Sequence, residues 1–266
     1  MAIGPENDES FSFLGTQSLS QHCERFLHMT ALKKSKAKKK YGNHAKMARD
    51  ISKTKKGKFQ NRLLEWYGEY GRDLPWRRTS DPYKILVSEV MLQQTQVYRV
   101  IPKFHEFLGK YPTLKDLAMA HPDDVRKTWY PLGYNARPYR LHGIACEAVE
   151  RYGGTIPNQV EDLLSLKGIG RYTAGAIRSF AFNKDAPILD TNVMRVLHRI
   201  FLGKGDPKKH KTDLWVLSEK LIPRGKGYDF NQALMDFGAM VCTARKPLCL
   251  LCPMRDFCLT GSSDEK

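Results

Sequence analysis

The stretch that decides the fold reads Leu166-Lys167-Gly168-Ile169-Gly170-Arg171-Tyr172-Thr173-Ala174. It joins two segments, at 160–166 and 174–182, in which apolar residues recur at helical spacing. Two glycines one residue apart allow backbone torsions that other residues avoid, and the amides that open the second helix suit a phosphate oxygen. A Gly-x-Gly turn is common between helices, but here basic residues stand on both sides of it. The stretch therefore predicts two helices joined by a tight hairpin that can bind phosphate.

Apolar residues also recur every three or four positions through most of the chain from residue 59 onward. Alternation of apolar and polar residues, which is typical of strands, is scarce. Several prolines fall near the expected helix starts, where a missing N–H is tolerated. The sequence predicts an all-α fold over residues 59–260, built from about ten short helices. The clearest apolar series contains Leu86, Val90, Val97, Ile101, Phe104 and Leu108.

The chain is strongly basic, with 44 Lys and Arg against 28 Asp and Glu and a net charge of +16 over 266 residues. This excess predicts a polyanionic partner, nucleic acid before a membrane surface. No apolar run of membrane length and no signal peptide are visible. We expect an intracellular protein, in the cytoplasm or nucleoid of a prokaryote, or the nucleus or mitochondrion of a eukaryote. Like charges crowd residues 33–58, which predicts a disordered basic tail over residues 1–58.

Four cysteines near the end of the chain have the spacing C-x6-C-x2-C-x5-C. Four thiolates this close together can ligate an iron–sulfur cluster or a tetrahedral zinc ion, and ligand type alone does not separate the two. Zinc ribbons usually show two C-x2-C pairs, whereas this sequence has one. Basic residues lie in the loops, so we expect the site to shape a phosphate-binding surface. The four cysteines are Cys242, Cys249, Cys252 and Cys258.

From about residue 63 to 258 the chain resembles the A/G-specific adenine DNA glycosylases of the MutY type, within the endonuclease III superfamily. The most specific string is Ser88-Glu89-Val90-Met91-Leu92-Gln93-Gln94-Thr95-Gln96-Val97. The resemblance implies a structural [4Fe–4S] cluster on the four cysteines and two helical lobes that flank a DNA cleft. It implies a six-helix barrel over 82–186, with a helix–hairpin–helix at about 160–182. The cluster lobe is then formed by 59–81 and 187–260.

The resemblance also implies roles for individual residues. A departing purine must be protonated, and the sugar cation that forms must be stabilised, which calls for two acids in different states. Glu89 is implied as the proton donor and Asp190 as the carboxylate beside the sugar; without the resemblance, Asp190 would be a helix N-cap. The other implied roles are orientation of Asp190 (Tyr172, Asn192), a wedge that fills the flipped nucleotide's gap (Gln94, Tyr134), contact with the opposite purine (Thr95), an adenine pocket (Trp76, Arg77, Gln232) and phosphate binding by the hairpin (Lys167, Gly168, Ile169, Gly170, Arg171).

Bifunctional relatives carry a lysine where this chain has Tyr172, and a phenol cannot form a Schiff base. We therefore expect a monofunctional enzyme of base excision repair without lyase activity. It would act as a monomer on mismatched double-stranded DNA, flipping out adenine opposite guanine or 8-oxoguanine and removing it by hydrolysis.

Two alternatives remain open. The sequence ends within ten residues of Cys258, so we expect a short form without the oxoguanine-recognition domain. Short architecture and the region 223–231 are also typical of G/T mismatch glycosylases, which remove thymine or uracil opposite guanine. Gln94, Tyr134 and Gln232 favour adenine. A non-catalytic DNA-binding module is the second alternative, and the presence of both implied acids in their motifs argues against it.

Overall fold

The computed structural model describes residues 51–261 and folds them mainly into α-helix. These residues contain no β-strand, so the predicted all-α class is confirmed. The predicted disordered tail falls, for residues 1–50, outside the described residues. Eleven α-helices, α1 to α11 in chain order, are present within 51–261: Lys53–Tyr70, Pro82–Leu92, Val97–Lys110, Leu114–Met119, Pro122–Trp129, Ala136–Tyr152, Val160–Ser165, Arg171–Phe180, Thr191–Phe201, Lys211–Leu221 and Gly227–Met240.

Two groups of helices can be distinguished by their packing. In the first, α2 packs against α3, α6 and α8, while α6 also packs against α4 and α5 and α7 packs against α8. In the second, α11 packs against α1 and α9, and α10 packs against α9. The groups meet where α8 contacts α11. The predicted arrangement of two helical lobes is therefore confirmed.

Helix α2 lies at the centre of the first lobe. Asp81 caps its N-terminus by accepting a hydrogen bond from the Tyr83 amide, and Pro82 occupies its first turn. Its sequence, PYKILVSEVML, is apolar on nearly every face, and eight of its eleven residues are buried. A helix of this kind carries any polar side chain into the interior as well. Glu89 is placed there in this way.

The structure adds detail to the predicted helices. The clearest apolar series is divided between α2 and α3, because the chain leaves the helix between Leu92 and Val97, where Gln94 adopts a positive φ of 58°. The first helix begins at Lys53 rather than after residue 58, with Ser52 as its cap. Residues 82–186 contain seven helices, of which α4 and α7 have only six residues each.

None of the helices within residues 51–261 combines the length and the apolar character needed to cross a membrane.

Candidate active site and DNA-contact surface

Glu89 is a carboxyl buried in the centre of the first lobe, with 4 % of its surface exposed. Burial disfavours the charged form and raises the pKa of Glu89 to about 7. The negative charge of Asp190 contributes to this rise, and the Tyr172 hydroxyl and the Arg77 guanidinium oppose it. Residues from three other segments therefore surround this carboxyl. An acid with this pKa is present in both protonation states near neutral pH, as proton transfer requires.

Asp190 occupies the N-cap position of α9, so the role assigned to it from local sequence alone is also correct. Its carboxylate accepts hydrogen bonds from the Val193 amide at 2.6 Å and from Asn192 Nδ2 at 3.2 Å. Burial raises the pKa of Asp190, and these two hydrogen bonds oppose that rise. These two hydrogen bonds fix the orientation of the carboxylate at the start of α9.

Asn192 belongs to a chain of hydrogen bonds that reaches the cysteine segment. Arg195 donates through Nη2 to Asn192 Oδ1 at 2.9 Å and through Nε to the Cys242 carbonyl at 2.9 Å. Helix α11 passes close by, since a Cβ on Gly238 would lie 2.9 Å from that of Asn192. Asn192 therefore donates to Asp190 and accepts from Arg195, and its role in orienting Asp190 stays a prediction. Sequence reasoning missed Arg195, whose only signal was its place one turn along α9.

Tyr172 lies on α8 beside the two acids, and Gln232 lies on α11, the helix that packs against α8. The Tyr172 hydroxyl donates to the sulfur of Met235 at 3.5 Å, and its pKa is raised well above its usual value by burial, with further contributions from Glu89 and Asp190. Gln232 is buried, and its Oε1 has no hydrogen-bond partner. Because Gln232 and Met235 are three residues apart on one helix, they share a face. The structure thus brings Gln232 to the Tyr172 side of the site with an acceptor available.

Arg77 serves a different purpose from the expected pocket contact. Its guanidinium donates from Nη1 and Nη2 to the two oxygens of Asp236, each at 2.8 Å. Arg72 shares the same carboxylate, which is completely buried. Burial would raise the pKa of Asp236, but the hydrogen bonds from Arg77 and Arg72 outweigh it and hold the pKa below its usual range. Arg77 is therefore part of a buried ion pair and acts on Glu89 through its charge.

Trp76 is also placed in the interior. Its ring packs edge-to-face against Phe104 of α3 at 5.6 Å, and 6 % of its surface is exposed. This contact is ordinary core packing, so the expected place of Trp76 in an adenine pocket stays a prediction.

The expected wedge residues Gln94 and Tyr134 lie on two exposed loops, and both have a positive φ, of 58° and 50°. Such a conformation is unfavourable for residues other than glycine and persists only where its surroundings enforce it. Arg137, a buried residue that sequence reasoning missed, donates hydrogen bonds to both loops. Arg137 also donates from Nη2 to the Thr95 hydroxyl at 3.0 Å, and Thr95 is half-buried.

The predicted hairpin is present between α7 and α8, with Gly168 at φ 112°. Lys167 and Gly170 are exposed, whereas the Ile169 side chain is buried and its amide bonds the Leu166 carbonyl. Ile169 therefore anchors the hairpin instead of facing a ligand. The first amides of α8 have no acceptor within the helix and are available to an anion, so phosphate binding by the hairpin stays a prediction.

Arg171 is held in place by a contact that the sequence did not reveal. Its guanidinium lies over the Trp215 ring of α10, 4.0 Å from the centroid. A cation stacked on an aromatic face loses part of its rotational freedom before any ligand arrives. The stacking sets Arg171 at the first turn of α8, next to the open amides.

The four cysteines line one cavity of about 140 Å³ in the second lobe. Backbone amides of Met254 and Gly261 point at the sulfurs of Cys252 and Cys258, each at 3.4 Å. Arg199 lies 3.6 Å from the Cys242 sulfur. Within residues 51–261 no group of three or more His, Cys, Asp or Glu side chains is arranged to hold a single metal ion. Four thiols that line one cavity fit the ligand set of an iron–sulfur cluster, and zinc accepts the same ligands.

Two parts of the chain match known protein families. Residues 87–220 match the HhH-GPD superfamily of base excision DNA repair proteins. Residues 242–258, which begin and end at cysteines, match the iron–sulfur binding domain of endonuclease III. The chain thus carries a structural [4Fe–4S] site, and the zinc alternative is not supported.

Individual proteins are similar over about three quarters of the chain. Human adenine DNA glycosylase is 44 % identical over 211 residues, covering 75 % of this chain and 39 % of the human protein. The thymine-DNA glycosylase of Aeropyrum pernix is 39 % identical over 211 residues, covering 77 % of this chain and 95 % of that protein. A solved structure of a thermostable thymine-DNA glycosylase superposes with a TM-score of 0.75 at 35 % identity, covering 80 % of this chain and 99 % of that one. The chain therefore spans about two fifths of the human relative.

Proposed function

This chain belongs to the HhH-GPD superfamily of base excision DNA repair proteins, and from that membership we propose that it is a monofunctional DNA glycosylase that removes adenine opposite guanine or 8-oxoguanine. One observation carries the proposal. Glu89, whose pKa is raised to about 7, and Asp190, at the cap of α9, interact inside the protein with Tyr172 beside them both. Breaking a glycosidic bond needs one acid that donates a proton and one carboxylate that stabilises the sugar, and these two neighbouring acids can supply both.

The mechanism follows from the properties of each group. Glu89 gives its proton to N7 of the flipped adenine, so that the C1′–N9 bond breaks with a neutral base as the leaving group. The sugar acquires positive charge at C1′, and the carboxylate of Asp190, oriented by Val193 and Asn192, stabilises it. Water then adds to C1′, releases a proton and leaves an abasic site. Tyr172 has no amine that could trap the sugar, so we propose that strand cleavage does not follow.

Gln232 is the residue that favours adenine. A glutamine amide offers both an acceptor and donors, and the buried Oε1 of Gln232 has no protein partner. The exocyclic amino group of adenine can satisfy that acceptor, and a base without a donor there would leave it unpaired. Removal of thymine or uracil opposite guanine is the second candidate, because the Aeropyrum pernix relative is matched over 95 % of its own length.

DNA is the proposed partner, bound as a mismatched duplex by a monomer in an intracellular compartment that holds DNA. The hairpin and the exposed Arg245 and Lys246 beside the cysteines supply the basic surface. We propose Cys242, Cys249, Cys252 and Cys258 as the cluster ligands. When bound, the cluster holds this surface in shape and takes no part in the hydrolysis. We also propose the division into a barrel over 82–186 and a cluster lobe over 59–81 and 187–260.

A panel of mismatched duplexes tests the proposed function. Labelled duplexes carrying A opposite G, A opposite 8-oxoguanine, T opposite G and U opposite G are incubated with the protein and then treated with hot alkali, which breaks the strand at abasic sites. Breaks at adenine support the proposal. Breaks only at thymine or uracil establish the second candidate, and the absence of breaks in every duplex refutes a glycosylase.

A further inference from the structure

We infer that Arg137 is the positioning residue that holds the two wedge residues, Gln94 and Tyr134, in the arrangement needed to open the duplex. The inference rests on the proposed function, in which a nucleotide is flipped out and its place must be filled. Arg137 touches neither the base nor the two acids. It acts through the backbone of the two loops that carry the wedge residues.

The contacts of Arg137 join segments that are far apart in the sequence. Nη1 lies 2.5 Å from the Gln93 carbonyl and 2.8 Å from the Met91 carbonyl, at the end of α2. Nη2 lies 3.1 Å from the Leu132 carbonyl and 3.2 Å from the Gly133 carbonyl, in the loop before α6. One planar group therefore fixes the distance between the two loops. No other side chain within residues 51–261 is hydrogen-bonded to both of them.

Two of these acceptors precede the strained residues directly. The Gln93 carbonyl belongs to the peptide that enters Gln94, and the Gly133 carbonyl belongs to the peptide that enters Tyr134. Both wedge residues have a positive φ, which a non-glycine residue adopts only where its surroundings enforce it. A hydrogen bond to the preceding carbonyl fixes the orientation of that peptide, and hence the φ that follows. Arg137 thus supports the same unusual conformation at two sites.

The surroundings of Arg137 favour a role in positioning over a role in stability. The residue is 3 % exposed, and within residues 51–261 no carboxylate forms an ion pair with it. Its guanidinium lies between the buried ring of Trp129, at 5.4 Å, and the exposed ring of Tyr134, at 5.1 Å. Burying a cation without a counter-ion is expensive, and an apolar residue of similar size would avoid that penalty. The planar group with several N–H donors is what an apolar residue cannot replace.

The test measures insertion of the wedge separately from excision of the base. A duplex carries a tetrahydrofuran abasic analogue opposite guanine, with 2-aminopurine as the neighbouring base. 2-Aminopurine is quenched when stacked, so its fluorescence reports whether the wedge opens the stack at saturating protein. We expect Arg137→Lys to lose most of this fluorescence change. We also expect it to lose about tenfold of its preference for the abasic duplex over an undamaged duplex, because an ammonium cannot reach both loops.

A variant of the core controls for general destabilisation. Leu117 in α4 is completely buried, and Leu117→Ala lowers the melting temperature without touching the guanidinium. We expect it to keep the wild-type fluorescence change. The inference is overturned if Arg137→Lys keeps the wild-type change and preference, or if Leu117→Ala loses as much. Because the duplex has no base to remove, neither result depends on which mismatch the enzyme cleaves.

A second pair of variants applies if Arg137→Lys does not fold. Thr95→Val removes only the hydroxyl that accepts from Arg137 Nη2, and Thr95→Ser keeps it. Loss of a direct DNA contact would weaken affinity but leave the fluorescence at saturation unchanged. We expect Thr95→Val to lower that saturated fluorescence more than Thr95→Ser does; equal values for both would contradict the inference.

Discussion

Glu89 shows how a single helix determines the chemistry of one residue. Helix α2 is buried on nearly all sides, so a carboxyl in its second half is surrounded by protein atoms instead of water. The resulting pKa of about 7 follows first from this burial and then from the neighbouring charges. The same glutamate on an exposed helix would be fully ionised at neutral pH and unable to donate a proton.

The raised pKa predicts that Glu89→Gln stabilises the protein at alkaline pH. The carboxyl titrates near 4.5 in the unfolded chain and near 7 in the fold, so the folded state binds more protons between these values and stability falls as pH rises through that window. At about pH 8 the variant should be more stable than wild type by roughly 3 kcal/mol, and at about pH 4 this gain should vanish. Urea unfolding at both pH values measures the difference. A gain that does not change with pH would show that the carboxyl is not buried as described.

Asp190→Asn should separate chemistry from binding. Asparagine caps a helix nearly as well as aspartate, so α9 should remain intact, but a neutral amide cannot stabilise a sugar cation. We expect base release to be abolished while duplex affinity stays within about twofold of wild type. Single-turnover cleavage and gel-shift titration measure the two properties. Asp190→Ala, which also loses the cap, should be less stable by about 1 kcal/mol. Release of base by Asp190→Asn at the wild-type rate would refute the mechanism.

Tyr172→Lys should acquire some ability to cut the strand. The phenol lies beside both acids, so an amine at this position would be close to C1′ of the flipped nucleotide. Burial would lower the pKa of that amine and leave part of it neutral and nucleophilic. Borohydride reduction in the presence of substrate should trap a covalent protein–DNA adduct with the variant and none with wild type. If the folded variant forms no adduct, Tyr172 does not lie close to C1′ of the flipped nucleotide.

Among the elements, the hairpin shows most clearly what each glycine does. Gly168 has a φ of 112°, and a Cβ there would lie 2.5 Å from Cγ of Arg140. Gly170 has an ordinary φ of −95°, and a Cβ there would meet no protein atom within 4 Å. The first glycine is therefore required by the fold itself. The second leaves open space in front of the first amides of α8.

These differences predict opposite effects for two alanine variants. Gly168→Ala should lower the free energy of unfolding by about 1–3 kcal/mol, because the alanine would have a strained positive φ and its Cβ would collide with the Arg140 side chain. Gly170→Ala should melt at the wild-type temperature yet bind DNA more weakly, because its methyl group stands where a phosphate would approach the amides. Thermal unfolding and gel-shift titration of both variants test this. Wild-type affinity in Gly170→Ala would mean that the phosphate binds elsewhere.

At this scale, structure that depends on residues close together in the sequence could be predicted, and structure that depends on distant residues could not. The hairpin and the cap at Asp190 are local patterns, and both were predicted correctly as structure. The break after α2 was missed, because the positive φ of Gln94 is supported by Arg137, more than forty residues away. Arg77 was assigned to a pocket because no local signal pairs it with Asp236, which lies 159 residues further along. Contacts of this kind are visible only in the folded chain.

At the scale of the whole molecule, the candidate site is assembled from both lobes. Glu89 on α2 and Tyr172 on α8 belong to the first lobe, while Asp190 at the start of α9 and Gln232 on α11 belong to the second. The lobes meet where α8 contacts α11. Arg195 ties Asn192 and the Cys242 carbonyl together, so the cysteine segment supports the position of the second acid. The pairing of the two acids is thus a property of the complete fold.

The pH dependence of adenine release tests the central claim most directly. Single-turnover rates are measured on a duplex with A opposite G at saturating protein, so that binding does not limit the observed rate. If Glu89 donates the proton, the rate should fall about tenfold per pH unit above a midpoint near 7. The rate should also fall at acid pH, where protonation of Asp190 removes the carboxylate that stabilises the sugar cation. A rate that stays constant through neutral and alkaline pH, or an adenine that is never released, would contradict the account.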